Sequence, residues 1–153
     1  MNYNVSVVIA DNLGNELKNK INIFDVGKSN GRFKRLLITS KKIYKKALEL
    51  NCDIYHLHDP ELLRIGLKLA KRGKIVIYDA HEDVPKQIMD KHWIPKILRG
   101  LISNLFSMYE AYVAKRITGI VSVTENICNR FKKQNKNVES VSYTHLRAHE
   151  TKP

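Results

Sequence analysis

Two short stretches carry the side chains able to do chemistry: "DIYHLHDPEL", Asp53–Leu62, and "VIYDAHEDVP", Val76–Pro85. Each runs out of strand-forming residues into imidazole and carboxylate. The first supplies His56, His58, Asp59 and Glu61, and the second Asp79, His81, Glu82 and Asp83. Such groups exchange protons near neutral pH, hydrogen-bond a polar ligand, or hold a transition metal. The metal reading is the weaker one. Pro85 occupies the place of the second histidine of an H-E-x-x-H motif, and His56 and His58, alternating about Leu57, offer two ligands at best. The expectation is therefore no metal. A helix cap would account for one aspartate, not for this density of polar groups.

Other chemistries lack their motifs. "VGKSNG" contains Gly-Lys-Ser, but Asn22 stands where a phosphate-binding loop needs its first glycine. The chain holds no G-x-G-x-x-G and no G-x-S-x-G nucleophile elbow.

The polar clusters need elements to hold them. Val5–Ala10 is a continuous apolar run that reads as a buried strand, and Ile21–Gly27 as an alternating one. From Arg32 to Leu50 the apolar residues Phe33, Leu36, Leu37, Ile43, Ala47, Leu48 and Leu50 fit one face of a long basic helix. Ile54–Leu57 reads as a strand, with Pro60 starting a helix that Gly73 ends, and Lys74–Tyr78 as the next strand. A polar loop follows, then an amphipathic helix over Ile94–Arg116, a strand at Gly119–Val123, and a helix from Glu125 capped by Thr124. This βαβαβα order with continuous apolar strands predicts an α/β, doubly wound, mostly parallel sheet covered by helices. In such sheets ligands bind outside the carboxyl ends of the strands. His56/His58/Asp59 and Asp79/His81/Glu82 then share one rim.

Composition sets the limits. The 153 residues, 43% hydrophobic and 27% charged, suit one soluble domain. No apolar run approaches the ~18 residues of a membrane span, and the start lacks a secretory signal, so the expected location is the cytoplasm. Cys52 and Cys128 form no C-x-x-C pair and read as cytosolic thiols. A net charge of +12 favours acidic partners. The lysines are scattered in pairs, such as Lys41/Lys42 and Lys45/Lys46, without interleaved aromatics, so nucleic acid is not the expected partner. "KHWIPKILRGLISNLF" mixes Lys91, Lys96 and Arg99 with Trp93, Ile94, Leu98 and Phe106. This helix start could lie on an anionic membrane at the inner face of the cell, although packing of its apolar stripe on the sheet is the first expectation.

The end of the chain, "VSYTHLRAHETKP", has neither helical nor strand period, and Val141–Thr151 resembles a translated transposase sequencing adapter. The expected division is a domain over residues 1–139 and a non-native, disordered tail over residues 140–153.

"DIYHLHDPELLRIGLKLAKRGKIVIYDAHEDVPKQIMDKHWIPK", with "MYEAYVAKRITGIVSVTENI" further on, resembles bacterial glycosyltransferases of family 4, which have the GT-B fold. The paired "HLHD" and "DAHED" strand ends carry the resemblance, which covers roughly Val5–Glu139. It implies most of an acceptor-side, Rossmann-like N-terminal domain, lacking the family's first strand and the donor-binding second domain. It further implies transfer, usually retaining, from a nucleotide sugar to a glycan or lipid-linked acceptor in cell-surface polysaccharide synthesis. No metal or other cofactor is implied, the nucleotide sugar being a substrate held by the second domain. By the same resemblance His81 is the catalytic position, with His58, Asp59 and Glu82 at the substrate, and His56 and Asp79 orienting them. The competing reading is a non-enzymatic, doubly wound binding or regulatory domain with a basic face for nucleic acid.

Overall fold

The structure, a computed structural model, describes residues 3–31 and 35–141. The chain divides into two compact units, Met1–Asp53 and Ile54–Pro153.

In the first unit β1 (Ser6–Ile9) pairs in parallel with β3 (Ile21–Asp25), register Ser6↔Asn22 to Ile9↔Asp25. A strand the sequence pattern did not show, β2 (Glu16–Lys18), pairs antiparallel with β3. The two-residue turn between them, Asn19–Lys20, has both φ values positive, +51° and +65°. That is the backbone twist a tight hairpin needs, and Asn tolerates it. The expected burial of β1 is only partial, with Val5 and Val7 exposed at its edge. The expected helix over residues 32–50 also differs. A π-helical turn, Arg35–Thr39, precedes the regular helix α1 (Ser40–Leu50). Leu36, Leu37 and Ile38 are exposed, while buried Thr39 accepts the Ser29 N–H through Oγ1 at 3.3 Å. Phe33, expected on the apolar face, lies outside the described residues.

The second unit is the one that matters for the site. Its sheet is wholly parallel, in the order β4 (Ile54–Leu57), β5 (Ile75–Asp79), β6 (Gly119–Ser122), β7 (Val138–Ser140). Parallel neighbours require crossovers, which are helical here. A 3-10 turn at Pro60–Leu62 leads into α2 (Leu63–Ala70) between β4 and β5. The expected polar loop after β5 contains a short helix, α3 (Val84–Asp90), before α4 (Lys96–Ala114). Helix α5 (Glu125–Lys132) joins β6 to β7. Strands and helices alternate along one direction, so the carboxyl ends of β4, β5 and β6 share one edge. The fold is α/β with mostly parallel sheets, Rossmann-like in character.

The core lies between sheet and helices: Leu57 and Val76 from the strands, Leu63 and Leu69 from α2, Val113 from α4 and Phe131 from α5 are all buried. Gly66 lets α2 come close, because a Cβ there would stand 2.5 Å from Leu57 Cδ1. At the end of α4, Asn135 Nδ2 donates to Ala114 O at 2.8 Å and Ile117 O at 3.0 Å, satisfying carbonyls that the helix leaves open.

These elements bear on three expectations. Thr124 precedes α5 but makes no side-chain cap; its carbonyl accepts the Cys128 N–H at 3.1 Å instead. The expected boundary after Glu139 falls inside β7: Ser140 pairs with Ser122, and the Val141 N–H donates to Ser122 O at 2.8 Å. The remainder of the expected tail, residues 142–153, lies outside the described residues. Finally, α4 does not lay its apolar stripe on the sheet. The residues it buries are Ser103, Glu110, Val113 and Ala114. Two of these are polar and have partners within the domain, so the packed face of the helix is not its most apolar one.

Candidate functional site

Asp79, the last residue of β5, is the pivot of the site. Its backbone is fixed by the ladder to Val121, and just beyond it Ala80 donates its N–H to Val121 O at 2.8 Å. Ser122, buried at the end of β6, donates its hydroxyl to Ala80 O at 2.6 Å. These contacts hold the β5 exit against its neighbour, and the Asp79 side chain is only 6% exposed.

Two histidines approach that carboxylate from consecutive strand ends. His58, one residue past β4, places Nδ1 3.3 Å from Asp79 Oδ2, and His81, two residues past β5, places Nδ1 3.8 Å from Asp79 Oδ1. Their side chains stay open to solvent, 62% for His58 and 41% for His81. His56 stacks on His58 with ring centroids 4.6 Å apart. Burial lowers the His56 pKa from its ordinary value, and the charge of His58 lowers it further, against the opposing pull of Asp79. His56 is thereby held toward the neutral imidazole.

The strand ends thus bring His56, His58, Asp79 and His81 together. They do not engage the other two expected residues. Asp59 and Glu82 are exposed, and among the described residues neither side chain makes a hydrogen bond or ion pair. A carboxylate paired with an imidazole at Nδ1 orients the ring and leaves Nε2 for a ligand. Chemically, the rim offers two partly exposed imidazoles beside one buried carboxylate. His56, His58 and Asp79 also present one ligand atom each within 4.8 Å of one another, the one grouping among the described residues able to hold a metal ion. Three donors of this type would leave a fourth position to water or substrate.

A second polar cluster escaped the sequence pattern. Tyr78 precedes Asp79 on β5 and so faces the other side of the sheet. It donates its hydroxyl to Glu110 Oε1 at 3.5 Å, and Arg130 of α5 forms a hydrogen-bonded ion pair with Glu110 Oε2. Glu110 has no solvent exposure. Burial raises its carboxyl pKa, with Arg130 opposing, and burial together with Glu110 raises the Tyr78 phenol. The Tyr78 ring meets Phe131 edge-on at 6.2 Å. The partners lie 32 and 20 residues from one another along the chain, so no local spacing announces them. The one legible sign was a lone glutamate amid apolar residues in "SMYEAYVA".

No curated protein matches the chain at a significant level. The family model described as Glycosyltransferase Family 4 matches residues 1–141, which takes in every residue the structure describes and the whole of the rim around Asp79. The match extends across both strand ends on which the histidines sit, and across the parallel β4–β7 sheet that aligns them. On that ground the chain belongs to Glycosyltransferase Family 4, and its function is of glycosyltransferase type.

Proposed function

We propose that this chain is the acceptor-side domain of an enzyme that transfers a sugar from a nucleotide-sugar donor to a glycan or lipid-linked acceptor during cell-surface polysaccharide synthesis in the cytoplasm. The observation that carries this reading is the convergence of His58 and His81, from neighbouring strand ends, on the two oxygens of buried Asp79. Glycosyl transfer needs an acceptor hydroxyl held against the anomeric carbon while a diphosphate leaves. His81 serves as the group at the reacting sugar, and its Nε2 accepts a hydrogen bond from a sugar hydroxyl. His58 holds the acceptor beside it. Asp79 faces both rings on their Nδ1 side, 3.3 Å from His58 and 3.8 Å from His81, and His56, kept neutral, supports His58 by stacking. Asp59 and Glu82, exposed at the same strand exits, serve as further hydroxyl acceptors for the bound sugar. Transfer proceeds with retention, and no metal takes part.

The leaving diphosphate would be held by a second, donor-binding domain, so this chain alone is expected to turn over no donor. Re-sequencing the gene across the Glu139 codon tests this most cheaply. A reading frame that continues into a second Rossmann-like half is the expected result. A stop codon soon after that point would favour a regulatory domain, particularly if the chain bound DNA or RNA salt-sensitively and better than a lysine-matched control.

A further inference from the structure

Spacing along the chain offers a metal ion only His56 and His58; the fold adds a third donor from another strand. In the parallel register His56 lies beside Ile77 and Leu57 beside Tyr78, which brings His58 level with Asp79. Side chains alternate along a strand, so His56, His58 and Asp79 stand on one face of the sheet, opposite Leu57 and Tyr78. One ligand atom from each lies within 4.8 Å of the other two. Zinc holds nitrogen and oxygen donors at about 2.0–2.2 Å, so neighbouring ligands in a tetrahedron stand roughly 3.4 Å apart. His58 Nδ1 and Asp79 Oδ2, 3.3 Å apart, are at that separation already. Both imidazoles are exposed, so ring rotation closes the remaining ~1.4 Å to His56 without moving the strands.

The donor set selects the ion. Imidazole nitrogen suits zinc and its transition-metal neighbours, whereas magnesium and calcium prefer a shell of oxygens. Asp79 anchors the set: its side chain is only 6% exposed, and the β5 ladder to Val121 fixes its backbone. A carboxylate so buried favours a cation beside it. His56 and His58 face that carboxylate from the adjacent strand and its exit, with ring centroids 4.6 Å apart. His81 approaches the other carboxylate oxygen, Oδ1, at 3.8 Å and stands outside the grouping. Three protein ligands on an open rim leave the fourth position to water.

We propose that His56, His58 and Asp79 together bind one divalent ion of the zinc class, and that this ion inhibits the enzyme rather than serving transfer. The ion takes His58 and Asp79 for its own coordination, and so withdraws the ring that the transfer reading gives to the acceptor. The inhibition rests on that reading; the binding does not, because it requires neither donor nor turnover.

The test uses the 153-residue chain without an affinity tag, titrated with Zn2+ and with Co2+ as a coloured substitute. Equilibrium dialysis should find one zinc per chain, cobalt should show the visible absorption of a low-coordinate site, and excess Mg2+ should displace neither. His56→Ala, His58→Ala and Asp79→Asn should each weaken binding at least about tenfold with unchanged circular dichroism. His81→Ala, and the pair His145→Ala, His149→Ala, should change it less than about threefold, because none of these supplies a ligand. The site is overturned by absent stoichiometric binding, by displacement with Mg2+, by binding that survives loss of His56 or His58, or by binding lost with His145 and His149. Should Asp79→Asn fail to fold, the two exposed histidines decide. In an active enzyme carrying this domain, zinc should inhibit transfer, and His56→Ala should require about tenfold more of it. Zinc that fills the site without slowing transfer overturns the inhibitory role. An enzyme with no transfer activity overturns the transfer reading instead and leaves the binding result standing.

Discussion

Tyr78 and Asp79 are adjacent on β5, and each belongs to a cluster built around one buried carboxylate. Glu110, beside Tyr78, has no exposure; Asp79 is 4% exposed. Their partners differ. Glu110 is met by Arg130 and by the Tyr78 hydroxyl, which close it within the domain. Asp79 is met by two imidazoles whose other edges remain in water. A carboxylate closed by a guanidinium and a phenol is a packing device, which ties α4 and α5 to the sheet. One that faces partly exposed imidazoles is, on the proposed reading, an aiming device. The difference implies that loss of the first cluster shows in stability, and loss of the second in turnover.

The largest effect expected from breaking this contrast is at Arg130. Arg130→Ala leaves Glu110 charged and buried with only a phenol, and urea unfolding should show a loss of about 3 kcal/mol. A loss below about 1 kcal/mol would mean that Glu110 takes up a proton and the ion pair contributes little.

Asp79→Asn keeps the shape of the pivot and removes its charge. In an active enzyme carrying this domain it should lower kcat/KM about a hundredfold, because on the proposed reading both histidines lose their orienting carboxylate, while the melting temperature moves little. An equal fall in stability would put Asp79 in the same class as Glu110.

A smaller effect concerns pH. Burial holds the Glu110 carboxyl above its ordinary value of 4.5, so the folded protein binds that proton more tightly than the unfolded chain. Its contribution is full below about pH 4.5 and is lost as pH rises through the raised value. Relative to Glu110→Gln, wild type should lose stability over that interval at no more than about 1.4 kcal/mol per pH unit. Parallel pH profiles for the two proteins would contradict the assignment.

What the sequence made legible follows from what was local. Ile54–Leu57 is the strand observed, and the expected strand at Lys74–Tyr78 is displaced by one residue to Ile75–Asp79. Strand ends in a parallel sheet fall on one edge by topology alone, so the meeting of His58 with His81 could be read from order. That Asp79 stands between them depends on side-chain direction, which alternation suggests but does not fix. Helix α3 lay within the stretch read as a polar loop, although Pro85 suits a first turn. The stripe on α4 was visible as a period, but a period cannot say which face packs. That was decided by Glu110 and its pairing with Arg130, a residue of another helix.

The proposed aiming role of the rim is tested most directly by His81→Ala in an active enzyme carrying this domain, with transfer kinetics and melting temperature measured on the same preparation. The account predicts a fall in kcat/KM of about tenfold, equal to about 1.4 kcal/mol of transition-state stabilisation, at an unchanged melting temperature. Unchanged kinetics in a variant of unchanged stability would contradict it.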